Sequence, residues 1–289
     1  MGRIAEEQRD FAGAARWYLK SLSINEKQGN EHDAASTYHH LGRIAEEQRD
    51  FAGAEHWYLK ALTINEKQGN EQHAAITYHQ LGRIAQEMRD LAGAERWYLK
   101  ALTIFEKRGN EHGAASTYHN LGAVAQAKRD LAGAERLYLK ALAIFEKQGN
   151  EHDAASTHHN LGAVAQKQRD SAGAERWYLK SLAIKEKQGN EYGAAITCHQ
   201  LGMIAEERGD HGRAGELFLK ACGLFAAKND KHGAAIALGS LARLLQRAPE
   251  AARENLRALG LKALGKDLME QVEKSASEGH SSARGPDSG

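Results

Sequence analysis

Apolar residues in this chain fall three and four apart in blocks of about 18 residues, the spacing of amphipathic helices. From Glu71 to Met88 they are Ala74, Ala75, Tyr78, Leu81, Ile84, Ala85 and Met88, which share one helical face. From Leu91 to Arg108 they are Leu91, Ala94, Trp97, Tyr98, Ala101, Leu102, Ile104 and Phe105. This second stripe is wider and suits a helix with neighbours on more than one side. Each block predicts a helix of roughly 27 Å. Both prolines, Pro249 and Pro286, lie near the C-terminus, so nothing interrupts helices before them.

Polar residues punctuate the stripes at fixed places. Gly69-Asn70, Gly109-Asn110, Gly149-Asn150 and Gly189-Asn190 end one helix and start the next. Glycine takes the left-handed position without steric cost, and asparagine accepts from the free N–H groups of the following helix. Glu71, Glu111, Glu151 and Glu191 then stand in a first turn, where the helix dipole favours negative charge. The alternate turn is Arg-Asp, with Asp50, Asp90, Asp130 and Asp170 as N-caps. Only Arg208-Gly209-Asp210 supplies glycine there, so the other copies are expected to carry a little backbone strain or to use a different loop.

The whole pattern repeats. Leu41-Gly42, Leu81-Gly82, Leu121-Gly122, Leu161-Gly162 and Leu201-Gly202 are 40 residues apart, and Gly2 to Ala14 is identical to Gly42 to Ala54. One helix pair cannot bury its apolar faces alone, but stacked pairs form a continuous core. Three segments follow: a repeat array over 1–248, a C-terminal capping helix over 249–274, and a disordered Ser/Gly-rich tail over 275–289. The cap is one helix, or two broken near Gly260 or Gly265. At the other end, Met1 stands where the other copies have a mid-helix leucine, and half a helix is missing. The chain is then a piece of a longer protein, or Phe11, Trp17 or Tyr18 form an exposed patch for self-association.

Charge and composition narrow the function. Lys plus Arg is 39 and Asp plus Glu is 38, which argues against nucleic acid as a partner. No membrane span or leader is evident, and two cysteines, Cys198 and Cys222, read as core thiols of a reducing compartment, the cytoplasm. Neither thiol has an activating neighbour, and no phosphate-binding glycine loop occurs, so the chain reads as a non-enzyme without cofactors. Trp57, Trp97 and Trp177 fall on the apolar stripe and read as packing residues, and pairs such as Glu66-Lys67 and Glu106-Lys107 as a solvated outer face.

Tyr78, Leu81, Gly82, Ala94, Tyr98 and Ala101 match the spacing of the tetratricopeptide repeat. The chain resembles the 40-residue branch of that family, found in kinesin light chains and bacterial signalling arrays. Alanine replaces the family's third aromatic at Ala45, Ala85 and Ala125, and its terminal proline is absent. The resemblance implies an all-α, right-handed solenoid of about six antiparallel helix pairs, with the first helix of each pair lining a concave groove. It carries the groove positions onto His39, His79, His119, His159 and His199, with Gln80, Asn120, Asn160 and Gln200 beside them. Arg43 and Arg83 follow, giving a basic N-terminal end, then Gln86, Gln126 and Gln166.

Imidazoles and amides both donate and accept, so this ladder suits a peptide or helix of a partner protein. The family's carboxylate clamp is not matched, since histidine stands for its first lysine. A regulatory arm of a larger signalling or defence protein is the alternative, and a histidine-lined metal or small-molecule sensor a third. Histidines 40 apart lie on successive pairs of order 16–20 Å from one another, too far to share a metal, so no metal site is expected. A proton-sensitive groove is expected instead, its histidines charging together near pH 6.

Overall fold

A computed structural model of the chain describes residues 2–281, with side chains described through residue 276. Among the described residues every regular element is a helix. They are α1 (Gly2–Glu7), α2 (Phe11–Gln28), α3 (Glu31–Glu47), α4 (Phe51–Lys67), α5 (Glu71–Glu87), α6 (Leu91–Lys107), α7 (Glu111–Ala127) and α8 (Leu131–Lys147). Then come α9 (Glu151–Lys167), α10 (Ser171–Lys187), α11 (Glu191–Glu207), α12 (His211–Ala227), α13 (Lys231–Arg247), α14 (Glu250–Leu264) and α15 (Lys266–Ser281). The chain divides into two compact units, residues 1–148 and 149–289. Within each, every helix through α13 packs mainly on its neighbours in sequence, which is all-α solenoid architecture.

The turns follow the chemistry of their residues. Asp50 Oδ1 accepts from the Gly53 N–H at 2.9 Å, and Asp90 from Gly93 at 2.9 Å. Asn110 caps α7 through Gly113 at 2.9 Å. Gly69, Gly109 and Gly189 sit near φ +65°. The strain expected at the Arg-Asp turns is present: Arg9, Arg49, Arg89, Arg129 and Arg169 have φ between 58° and 66°. Left-handed backbone costs a non-glycine residue roughly 1–2 kcal/mol.

The Leu-Gly pair earns its recurrence through a tyrosine. In unit one, the rings of Tyr58 and Tyr98 lie on the backbone at Gly42 and Gly82, where an added Cβ would come within 2.6 Å of ring carbons. Both tyrosines are fully buried. Tyr58 donates its hydroxyl to Glu46 at 3.1 Å and Tyr98 to Gln86 at 3.3 Å, so the ring is fixed at both ends. Unit two repeats this with Tyr178 on Gly162 and with Phe218, which needs no acceptor, on Gly202.

A second tyrosine row uses the outer face. Glu66, Lys67, Glu106 and Lys107 are exposed, as expected of a solvated face, and the two glutamates also accept from Tyr78 and Tyr118. The lysines beside them reach back one repeat instead, Lys67 to Glu31 at 2.6 Å and Lys107 to Glu71 at 2.7 Å. Trp57 and Trp97 stack on Tyr38 and Tyr78, with centroids 5.7 and 5.6 Å apart.

At the N-terminal end, Tyr18 is covered, donating to Glu6 at 3.1 Å and stacking on His40, whereas Trp17 is exposed. At the C-terminal end, the chain breaks at Gly265 (φ +77°), and α14 and α15 pack on α12 and α13 through Leu256, Met269 and Val272. α15 continues to Ser281, past Lys274, so residues 275–281 are helical where a disordered tail was expected. The rest of that tail, 282–289, lies outside the described residues.

Gly82→Ala forces a methyl into the Tyr98 ring. Overpacking costs about 1–3 kcal/mol against roughly 1 kcal/mol gained in helix propensity. A net loss of up to about 2 kcal/mol is expected in urea unfolding, with Gly82→Ser behaving alike.

Candidate functional site

The first helices of the pairs carry the expected ligand-facing residues, and the structure ties most of them into the stack. In unit one, His39, His79 and His119 are half-buried, each tilted against the tyrosine of its own pair. Their centroids lie 5.3, 5.4 and 5.3 Å from Tyr58, Tyr98 and Tyr138. Asn120 Nδ2 donates to His79 Nε2 at 3.0 Å, and Gln86 and Gln126 accept from Tyr98 and Tyr138. The basic end is compensated. Arg83 lies 2.6 Å from Glu46 and also donates to Gln80 at 3.2 Å, while Arg43 is 3.9 Å from Glu6.

In unit two, His159 and His199 lean on Tyr178 and Phe218 at 5.1 and 5.4 Å. Gln166 accepts from Tyr178 at 3.3 Å, and His199 Nε2 contacts Ser240 Oγ at 2.9 Å. Asn160 and Gln200 are half-buried on the same face.

Burial overturns the expected proton sensitivity near pH 6. It holds His39, His79 and His159 down at about 4, helped by the neighbouring cations Arg43, Arg83 and Lys185 respectively. These rings are neutral across the physiological range.

The exposed stripe runs instead through positions not singled out from the sequence. In unit one these are His32, Ser36 and Ile76. They border a cavity of about 130 Å³ lined also by Ala35, His39, Asn65, His73 and Thr77. In unit two the matching stripe includes Tyr192 and Ile236, both exposed. There, a more open cleft of about 570 Å³ is lined by Met203, Glu206, Glu207, His211, Arg243 and Arg247.

The sequence signal missed was one column of the second helices: Asn25, Asn65, Phe105, Phe145, Lys185, Phe225. Phe105 fills the space over Gly113, whose added Cβ would meet the ring at 2.8 Å. Lys185 is 8% exposed, and its Nζ donates to Thr197 Oγ1 at 3.0 Å. That hydroxyl donates to the Gly193 carbonyl, and His159 Nδ1 is 3.3 Å from it. No carboxylate pairs with Lys185 among the described residues, and burial pushes its amine down to about 8.

Catalytic machinery is not evident in this arrangement. Burial raises the Cys198 thiol to about 11 and also raises Cys222, the reverse of an activated nucleophile. Among the described residues no group of three or more His, Cys, Asp or Glu could hold a metal ion. Among them, too, no helix is long and apolar enough to cross a membrane.

Two pH effects follow. Folded His79 holds its proton only below about 4, whereas the unfolded ring takes one near 6.5. Stability present above pH 6.5 is therefore lost as pH falls toward 4. Thermal midpoints should fall over that window, less steeply in His79→Phe. Lys185 has the same sign at higher pH: its burden is full below about 8 and is relieved as pH rises toward 10.5. Lys185→Phe, copying Phe105 and Phe145, should stabilise the protein at pH 7 by on the order of 2–3 kcal/mol in urea unfolding. The wild type should close that gap by pH 10.5.

Comparison with known proteins agrees with the architecture. Among solved structures, BtubC (BKLC) from P. vanneervenii is 23% identical, with a TM-score of 0.68, over 78% of this chain and 93% of that one. The apo form of the quorum sensor NprR from B. thuringiensis is 15% identical, with a TM-score of 0.66, over 98% and 80%. A signal transduction ATPase with a tetratricopeptide repeat sensor, from Pyrococcus horikoshii, is 18% identical, with a TM-score of 0.69. The match covers 96% of this chain and 42% of that protein. These likenesses establish the fold. No curated protein matches the chain. The tetratricopeptide repeat pattern matches residues 1–67, 33–107, 73–147 and 113–187, in register with the helix pairs. The chain belongs to the tetratricopeptide repeat family.

Proposed function

We propose that this protein is a non-enzymatic interaction scaffold that binds a peptide or helix of a partner along the face of its first helices. The carrying observation is the contrast on that face. His39, His79, Gln86, Arg83 and their neighbours are committed to the stack, while the stripe through His32, Ser36 and Ile76 stays open beside an unfilled cavity. An exposed isoleucine among polar side chains next to a cavity is the composition of a ligand surface. Family membership supports the reading, since stacked repeats present long surfaces to other chains. Both cysteines are buried free thiols, in keeping with a cytoplasmic setting.

A second reading is favoured by the likeness to the Pyrococcus horikoshii ATPase, of which this chain matches less than half. That protein carries its repeats as a sensor, and the present array would play the same part, with peptide binding as the sensed event. Self-association through the exposed Trp17 remains part of the proposal.

Replacing the histidines would unseat Tyr58, Tyr98 and Tyr138, so the test spares them. A random-peptide display selection should enrich a peptide family on the wild type. Ser116→Arg with Ala123→Arg crowds the face of α7, and the second change has Arg43 and Arg83 as precedents. Affinity should fall at least tenfold while helicity and melting midpoint stay unchanged. No enriched family, or undiminished binding by the variant, defeats the proposal.

A further inference from the structure

The cavity in unit one differs from its surroundings in its floor. α4 places Asn65 where α6 and α8 place Phe105 and Phe145. Asn65 is only 5% exposed, yet its carboxamide has no hydrogen-bond partner among the described residues. Its counterpart Asn25 does have one, donating from Nδ2 to Thr37 Oγ1 at 3.4 Å. The ring that fills this place over Gly113 is absent, and at the position matching Gly113 stands His73, on the cavity wall.

The remaining polar atoms select the occupant. Thr77 donates its hydroxyl to the His73 carbonyl at 2.8 Å, so toward the cavity it is an acceptor. His73 Nδ1 is 2.9 Å from Asn70 Oδ1, which can only accept, so Nδ1 donates and, with one proton on the ring, Nε2 is an acceptor. His39 is held neutral by burial. Ala35 and Ile76 supply an apolar wall. A carboxylate entering here would meet two acceptors. An ammonium would find no anion among the lining residues. A primary carboxamide brings N–H donors for Thr77 and His73 and matches the Asn65 amide with a donor and an acceptor. The volume, about 130 Å³, holds one such side chain.

We propose that the Asn65 cavity is a subsite for the carboxamide side chain, glutamine or asparagine, of a bound peptide. The inference deepens the peptide-binding reading and rests on it for the identity of the ligand. Its test does not need that peptide. Amide resonances of ¹⁵N-labelled protein are followed during titration with N-acetyl-glutamine methylamide and its asparagine, glutamate, leucine and lysine analogues. Asn65→Phe with His73→Gly rebuilds the Phe105–Gly113 pair, and its melting midpoint, at or above wild type, confirms that it folds.

The expected result is saturable shifts at Ala35, Ser36, Ile76 and Thr77 with the glutamine or asparagine compound. Glutamate, leucine and lysine compounds should bind at least tenfold more weakly, and the double variant should show no saturable shift. Equal response to the leucine or glutamate compound overturns the proposal. So does an unchanged response in the double variant, or no response at all, which would mean a cavity filled by water only. Display results separate the two ideas. Enriched peptides without a recurrent glutamine or asparagine defeat this subsite and leave the scaffold standing. Saturable carboxamide shifts without any enriched peptide defeat the scaffold reading and leave the subsite.

Discussion

The seating of a tyrosine ring on a glycine backbone governs this structure. Gly42 under Tyr58 and Gly82 under Tyr98 bring the two helices of a pair to ring-on-backbone distance. That leaves no room for a side chain on one partner and demands a flat one on the other. Once the ring is seated, its edge and hydroxyl need neighbours. The histidine three residues before the glycine covers the ring, and the Glu or Gln four residues after it accepts the hydroxyl. One contact thus commits four residues per pair, among them the histidine and the Glu or Gln of the first helix.

This commitment changes what a polar groove means. Imidazoles and amides along a solenoid read as a ladder of free donors and acceptors. Here their first duty is to the core: burial keeps the rings of His39, His79 and His159 neutral, and Gln86, Gln126 and Gln166 already accept from tyrosines. Arg83 is likewise held by Glu46. Polar groups satisfied inside the protein gain little by exchanging partners with a ligand. In the function we propose, recognition would fall to what the stack leaves over, namely the outer stripe of the first helices and the places where the floor is unfilled.

The fold was legible because its causes are local. Apolar spacing, Gly-Asn and Arg-Asp turns and the 40-residue period each point to the same helix pairs, and the capping hydrogen bonds follow from residue identity. The site was legible only in part. Sequence assigned His79, Gln80 and Arg83 to one face of α5, but their partners lie up to 41 residues away, as with Asn120 on His79. Facing and availability are different properties, and helical periodicity reports only the first. Glu66 is exposed, as its place in a charged pair implied, and it also accepts from Tyr78, which periodicity does not report.

Near-identical copies carry a further constraint. Duplication reproduces the tyrosine seat in every pair, so the seat cannot distinguish one stretch of the face from another. Distinction requires positions where copies differ without loosening the seat. The column of Asn65, Phe105 and Lys185 meets that condition, because it packs under the next pair's first helix, away from the glycine notch. Phenylalanine there makes an inert floor. Asparagine leaves an unpaired amide beside a cavity, and lysine leaves a buried amine without a carboxylate. Both departures put a polar side chain in a buried place where the phenylalanine copies pack a ring. An array whose only task was to stack would gain by filling both positions.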